Sequence, residues 1–192
     1  MIRAMNRLLL AAFLLTTMAG CSDDDDPVSH SEPVGIHLAI ADGDVNGTTG
    51  YDEKNINTES GNPYGEFAAA ATEAIGGEPS RIVVDATTIE IADGSDVAEL
   101  DSVFDGPIAV RFVMNGSDAE YEVATGVIEA GAGPGPFDLA VDFDSDGIPG
   151  EDYGDLATGS FKVVLEGEVA EGFTALETKA DFEVVFTFTA YE

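Results

Sequence analysis

The sequence predicts an all-β fold: a single antiparallel β-sandwich of the immunoglobulin-like or jelly-roll type, with about seven strands and one or two short helices. Three observations carry that expectation. Apolar residues alternate with period two along most of the chain beyond residue 33, as a strand with one buried face requires. The alternating runs recur at fairly regular spacing, the rhythm of a sandwich. Between two of them lies an Asn115-Gly116 pair, a strong hairpin signal.

Taken in order, Val34, Ile36, Leu38 and Ile40 alternate in a first strand. Arg81 to Ile91 (RIVVDATTIEI) is β-branched, with apolar residues on both faces. Ile108, Val110, Phe112 and Met114 lead into the Asn115-Gly116 turn, and Tyr121, Val123, Thr125 and Val127 continue the partner strand. Phe137, Leu139, Val141 and Phe143 form a fifth run, Phe161, Val163 and Leu165 a sixth, and Phe182, Val184, Phe186 and Phe188 a seventh. Two segments read as helix. Glu66 to Ile75 (EFAAAATEAI) places Phe67, Ala70, Ala71, Ala74 and Ile75 on one side, and Gly76-Gly77 stops it. Asp96 to Phe104 reads as one turn with Asp96 as its N-cap and Leu100, Val103 and Phe104 facing inward.

The 192 residues suit a leader followed by one domain. A hydrophobic fraction of 44% supports a core, so the chain is not an acidic disordered tail. Seven Lys and Arg stand against 38 Asp and Glu, for a formal charge of −31. Such a surface repels nucleic acid and anionic membranes, which excludes nucleic acid as a partner. It suits cations, a salty medium or simple solubility. One cysteine permits no intramolecular disulfide.

Residues 1–20 (MIRAMNRLLLAAFLLTTMAG) read as a secretory signal peptide: Arg3 and Arg7 give a positive start, Leu8 to Leu15 an apolar centre, Ala19 and Gly20 a small-residue close. The apolar stretch is too short to span a bilayer, which needs about 20 residues. Met18-Ala19-Gly20-Cys21 resembles the lipobox of bacterial lipoproteins. The resemblance implies cleavage before Cys21, acylation of its thiol, and the lipid bilayer as partner through those acyl chains. Each buried CH₂ contributes roughly 0.8 kcal/mol, so several chains on one residue anchor almost permanently. Ser22 resembles the outer-membrane choice of Gram-negative lipoproteins, on the periplasmic face or the cell surface. The following Asp23 to Asp26 resembles the acidic tether of some bacterial surface lipoproteins and also reads as a solvated, self-repelling spacer. Residues 21–33 would then be a flexible tether reaching at most about 40 Å, and 34–192 the domain.

Two acidic loops suggest calcium. Asp42 to Glu53 (DGDVNGTTGYDE) fits the template D-x-[DN]-x-[DN]-G-x₅-E at every specified position. Asp42, Asp44 and Asn46 would offer side-chain oxygens, Gly47 the bend, Thr48 its carbonyl and Glu53 the bidentate closure. Asp142 to Tyr153 (DFDSDGIPGEDY) repeats the first half with Asp142, Asp144 and Asp146, and Ile148 holds the seventh place. Tyr153 cannot close the shell, so Glu151 or Asp152 would substitute. The DxDxDGIP stretch resembles the calcium loops of thrombospondin type 3 and dockerin-like repeats. Random placement gives roughly 0.04 such half-loops in a chain of this composition, although turn chemistry concentrates the same residues. Both loops follow strands, so the flanking helices of an EF-hand are missing. A pair of acidic turns between strands is the plain alternative.

Catalytic patterns are scarce. His30 and His37 are the only histidines, and GxSxG and P-loop patterns are absent. Gly131 to Pro136 (GAGPGP) is a loop with too few N–H donors to cradle phosphate. Acid pairs of the glycosidase kind are neither excluded nor located, because carboxylates are everywhere. The sequence therefore predicts a membrane-anchored lipoprotein with an acidic binding or structural domain, Ca²⁺ its one candidate cofactor, no catalytic residues, and a protein or glycan partner it does not specify. The rivals are a hydrolytic, carbohydrate-active domain using acidic residues, and an acidic surface that serves salt adaptation alone.

Overall fold

The computed structural model describes residues 27–175 and 178–192. The segment expected to be a signal peptide, the expected lipid site Cys21 and the four aspartates lie outside them. Among the described residues no helix is long and apolar enough to cross a membrane.

Ten strands form one antiparallel sheet: β1 (Ser29–Ala41), β2 (Val45–Asn46), β3 (Thr49–Asn55), β4 (Arg81–Ile91), β5 (Phe104–Met114), β6 (Glu120–Ile128), β7 (Phe137–Val141), β8 (Phe143–Asp144), β9 (Phe161–Val169) and β10 (Lys179–Tyr191). Their spatial order is β1-β10-β4-β7-β6-β5-β9-β3-β2, with β8 paired to β4. The sheet curls so that β1, β10, β4 and β8 face β6, β5, β9 and β3. Period-two burial builds the core between them: Val34, Ile36, Leu38 and Ile40 of β1 point inward, as do Phe182, Val184, Phe186 and Phe188 of β10 and Ile108, Val110, Phe112 and Met114 of β5. Phe112 sits at the centre, with ring centroids 4.7 Å from Phe161, 5.1 Å from Phe143, 5.4 Å from Phe186 and 6.0 Å from Phe188. The all-β antiparallel sandwich is as expected, and all seven alternating runs are strands.

Three of the ten strands were not expected. β2 and β3 occupy the first acidic loop, and β8 continues the fifth run after a break. β1 also starts earlier than the pattern implied. Ser29 to Pro33, read above as spacer, pair with Tyr191 to Thr187 of β10. The β5–β6 connection runs through Asn115 to Ala119 with Asp118, not Asn115 or Gly116, left-handed at φ 56°. The hairpin is there, but its loop is longer than an Asn-Gly turn.

Helix α1 (Pro63–Ile75) begins where Asn62 accepts from the Gly65 N–H at 3.2 Å and Pro63 fixes the first turn, and it stops at left-handed Gly76. It buries Tyr64, Phe67 and Ala71. The Asp96–Phe104 helix is replaced by a short 3₁₀ turn at Leu100–Ser102, because the Asp96 carboxylate is spent on the Lys179 N–H at 3.1 Å. Helix α2 (Gly150–Thr158), which the pattern did not foretell, buries Asp152 and Leu156, and the Leu156 carbonyl accepts from the Tyr64 hydroxyl at 2.7 Å.

The curl brings the free edge of β1 beside β3. There the alternate N–H groups of His37, Ala39 and Ala41, which point away from β10, donate to Glu59 Oε2 at 2.7 Å, Asp52 Oδ2 at 2.7 Å and Asp44 Oδ2 at 2.9 Å. Carboxylates thus line the seam where a ladder would close a barrel, and they occupy the edge donors from His37 to Ala41. The approach is close: a Cβ at Gly50 would lie 3.2 Å from Ile40 Cγ2 and 2.8 Å from Val169 Cγ1.

Inside the core, the Thr87 side chain is buried and its hydroxyl has no hydrogen-bond partner among the described residues. Thr87→Val keeps the shape and removes the stranded hydroxyl, so it is expected to raise stability by about 1 kcal/mol in urea unfolding. A drop in the midpoint would mean that the hydroxyl bonds an internal water.

Candidate functional site

The first acidic loop is built as a hairpin. Asp42–Asp44 make a 3₁₀ turn, Val45–Asn46 pair with Gly50 and Thr49, and left-handed Gly47 with Thr48 forms the tip. Its donors have other partners. Asp44 accepts from Ala41, the Thr48 carbonyl accepts from the Val169 N–H at 2.8 Å, and Glu53 holds Lys162 at 2.6 Å and the Tyr51 hydroxyl at 2.5 Å. The Lys162 bond, with Tyr51 adding to it, keeps the Glu53 carboxyl below its usual range. Burial first, and then Glu53, push Tyr51 up to about 12. Asp42 and Asn46 are exposed.

In the second loop a guanidinium stands where the template would put a metal ion. Arg81 donates from Nε to Asp144 Oδ1 at 2.9 Å and from its terminal nitrogen to Asp144 Oδ2, and its Nε lies 3.3 Å from Asp146 Oδ2. That bonding holds the Asp144 carboxyl below its usual range. Asp152 is a buried residue of α2 that accepts from the Ser117 and Tyr121 hydroxyls, each at 2.5 Å, and those bonds lower its carboxyl below the ordinary range. Asp155 accepts from the Gly116 N–H at 2.7 Å, so α2 ties down the β5–β6 loop. Asp142 is exposed and Ile148 packs against the core. Among the described residues no three His, Cys, Asp or Glu side chains gather as a metal-ligand group. For Glu53 and Asp144 to bind calcium, Lys162 and Arg81 would first have to leave. We therefore expect millimolar Ca²⁺ to raise the melting temperature no more than Na⁺ at matched ionic strength. A resident ion at 100 times its dissociation constant would add about 2.7 kcal/mol, and a gain of that size would restore the loops as calcium sites.

The strongest concentration of binding features lies elsewhere, on the outer face of β3, β9, β5, β6 and β7. Register aligns one outward residue per strand: Tyr51 opposite Glu166, Glu166 opposite Ala109, Ala109 opposite Thr125, Thr125 opposite Ala140. Small side chains at Ala109, Thr125 and Ala140 leave an open groove of about 710 Å³. One wall carries Arg111 and Glu122, the other Glu168, Pro107 and Val127. A second hollow beside Asp44, Asn46 and Tyr51 joins it through Thr49 and Glu166. Arg111 is bonded to Glu166 at 2.6 Å, which raises its already high pKa. Tyr51 and Val127 are 42% and 55% exposed, two of the three large hydrophobic residues left open among the described residues. Sequence reading marked neither Arg111, Glu122 nor Glu168. The signal was present only as the polar half of each alternating run.

All five Lys and Arg among the described residues are committed: Lys54 to Glu59, Arg81 to Asp144 and Asp146, Arg111 to Glu166, Lys162 to Glu53 and Lys179 to Asp181. Among the described residues Glu122 and Glu168 have no ion-pair partner.

No protein-family model matches the chain, and no curated protein matches it. Among solved structures, a chain from turnip yellow mosaic virus aligns with TM-score 0.29 and 12% identity over 97% of this chain and 90% of that one. A chain from desmodium yellow mottle tymovirus aligns with TM-score 0.29 and 10% identity over 97% and 95%.

Proposed function

We propose that the protein is a lipid-anchored binding module of the outer membrane. Cys21 carries the acyl chains, and the acidic sandwich behind it presents the outer face of the β3–β9–β5–β6–β7 wall to a ligand. The observation that carries the binding half is the convergence on one face of an open groove, the exposed Tyr51 and the exposed Val127. Exposed apolar residues gathered beside a groove mark interaction surfaces more often than scattered ones do. The anchoring half rests on the ordered charge, apolar run, small pair and cysteine of the leader.

Two experiments test the halves separately. Cys21→Ser is expected to lose the acyl mass and to move the protein from the membrane fraction to the soluble one. An unchanged membrane fraction removes the anchor. Hydroxyl-radical footprinting on intact cells is expected to find Tyr51 and Val127 protected relative to the purified chain. Equal labelling in both settings removes the binding face.

A further inference from the structure

The groove's charge points to the class of its occupant. We propose that it takes an extended, basic segment of a partner protein, lying across the strands with Lys or Arg side chains at Glu122 and Glu168; this rests on the binding-face reading above. The row from Tyr51 to Ala140 crosses five strands, about 19 Å at the usual spacing, which an extended segment of about six residues covers. Glu122 and Glu168 rise from opposite walls of a floor of small side chains, and the one cation in the groove, Arg111, is already taken by Glu166. An anionic ligand would therefore find no uncommitted cation on this face, in a chain of formal net charge −31. A neutral sugar would find a single aromatic, Tyr51, whose hydroxyl is spent on Glu53. A lysine or arginine uses both kinds of surface at once: its stem lies on Val127 and Pro107 while its charged end reaches a carboxylate. The negative field also draws such a segment in from solution, an attraction that salt weakens.

The test uses the full-length chain in nonionic detergent and fluorescence anisotropy of a labelled peptide alternating Lys and Val. That peptide is expected to bind, more weakly as NaCl rises, while a Glu-Val counterpart does not bind. Glu122→Gln with Glu168→Gln is expected to weaken binding about tenfold. Glu73→Gln with Glu78→Gln, the same charge change at two exposed positions on and just beyond α1, should stay within about twofold. Equal losses in the two double variants would overturn the proposal, because the peptide would then be sensing total charge. So would a neutral oligosaccharide that protects Tyr51 and Val127 where the peptide does not, an outcome that keeps the binding face and removes its basic partner. If Tyr51 and Val127 are unprotected on cells, the binding face fails whatever the peptide does.

Discussion

Phe112→Ala is expected to cost about 3–5 kcal/mol of unfolding free energy, the range for removing a buried aromatic ring. The value should lie at the upper end because the site cannot collapse. Phe112 is wholly buried and its ring meets Phe143, Phe161, Phe186 and Phe188, which come from three different strands on both sides of the sandwich. β5 is held by ladders to β6 on one side and β9 on the other, so the backbone cannot move in to fill the hole. Phe161 and Phe188 are themselves braced by Tyr64 of α1, at 5.2 and 5.1 Å. The loss would be a large part of the roughly 5–15 kcal/mol that a domain of this size commands. Phe112→Leu, which refills most of the volume, should recover more than half of it. Urea midpoints at constant slope measure both, and a cost below about 1.5 kcal/mol for the alanine would show that the aromatic cluster is not the centre of the core.

The strands were legible because period two in burial is a local property: Val34 to Ile40 or Phe182 to Phe188 states its buried face without reference to any other segment. The acidic loops carry chemistry shared by two structures. Asp, Asn and Gly at alternate places make a calcium loop, and they also make the tip of a tight hairpin, the geometry that Asn46-Gly47 adopts with left-handed Gly47. In the second loop, Pro149 sits just before α2 and Glu151 and Asp152 occupy its first turn, where acidic side chains favour the helix dipole. The partners these carboxylates hold are distant in the chain. Arg81 is 63 residues from Asp144, and Lys162 is 109 from Glu53. The groove was hidden for the same reason. It exists only once register sets Glu166, Ala109 and Thr125 side by side, and no single strand's pattern carries that pairing. The leader's signal is linear, a resemblance carried by residues 1–26, which lie outside the described ones.

Glu59 was invisible in the sequence and is expected to control acid stability. Its carboxylate is buried, which on its own works against the charge. The His37 N–H at 2.7 Å, the Lys54 ammonium at 2.8 Å and the Ser60 N–H at 2.9 Å outweigh that burial and hold the group at about 2. A carboxyl held below its ordinary 4.5 adds stability that is complete above about pH 4.5 and is lost as pH falls toward 2. The size is about 3 kcal/mol. Asp52, its neighbour on the same seam, runs the other way. Burial raises it beyond what the Ala39 and Glu53 N–H groups restore, so the folded state takes up its proton early and loses stability as pH rises through that range. Glu59→Gln separates the two. It keeps an oxygen for the His37 N–H but gives up the charge, so at neutral pH it should cost about 2–3 kcal/mol. Toward pH 2 the variant and the parent should converge, because the parent's Glu59 is then protonated too. Urea unfolding across that window measures the gap. Parallel curves would mean that the seam is held by packing between β1 and β3. Converging curves would show that the Glu59 carboxylate, bonded to the His37 N–H, holds a seam that has no ladder between β1 and β3.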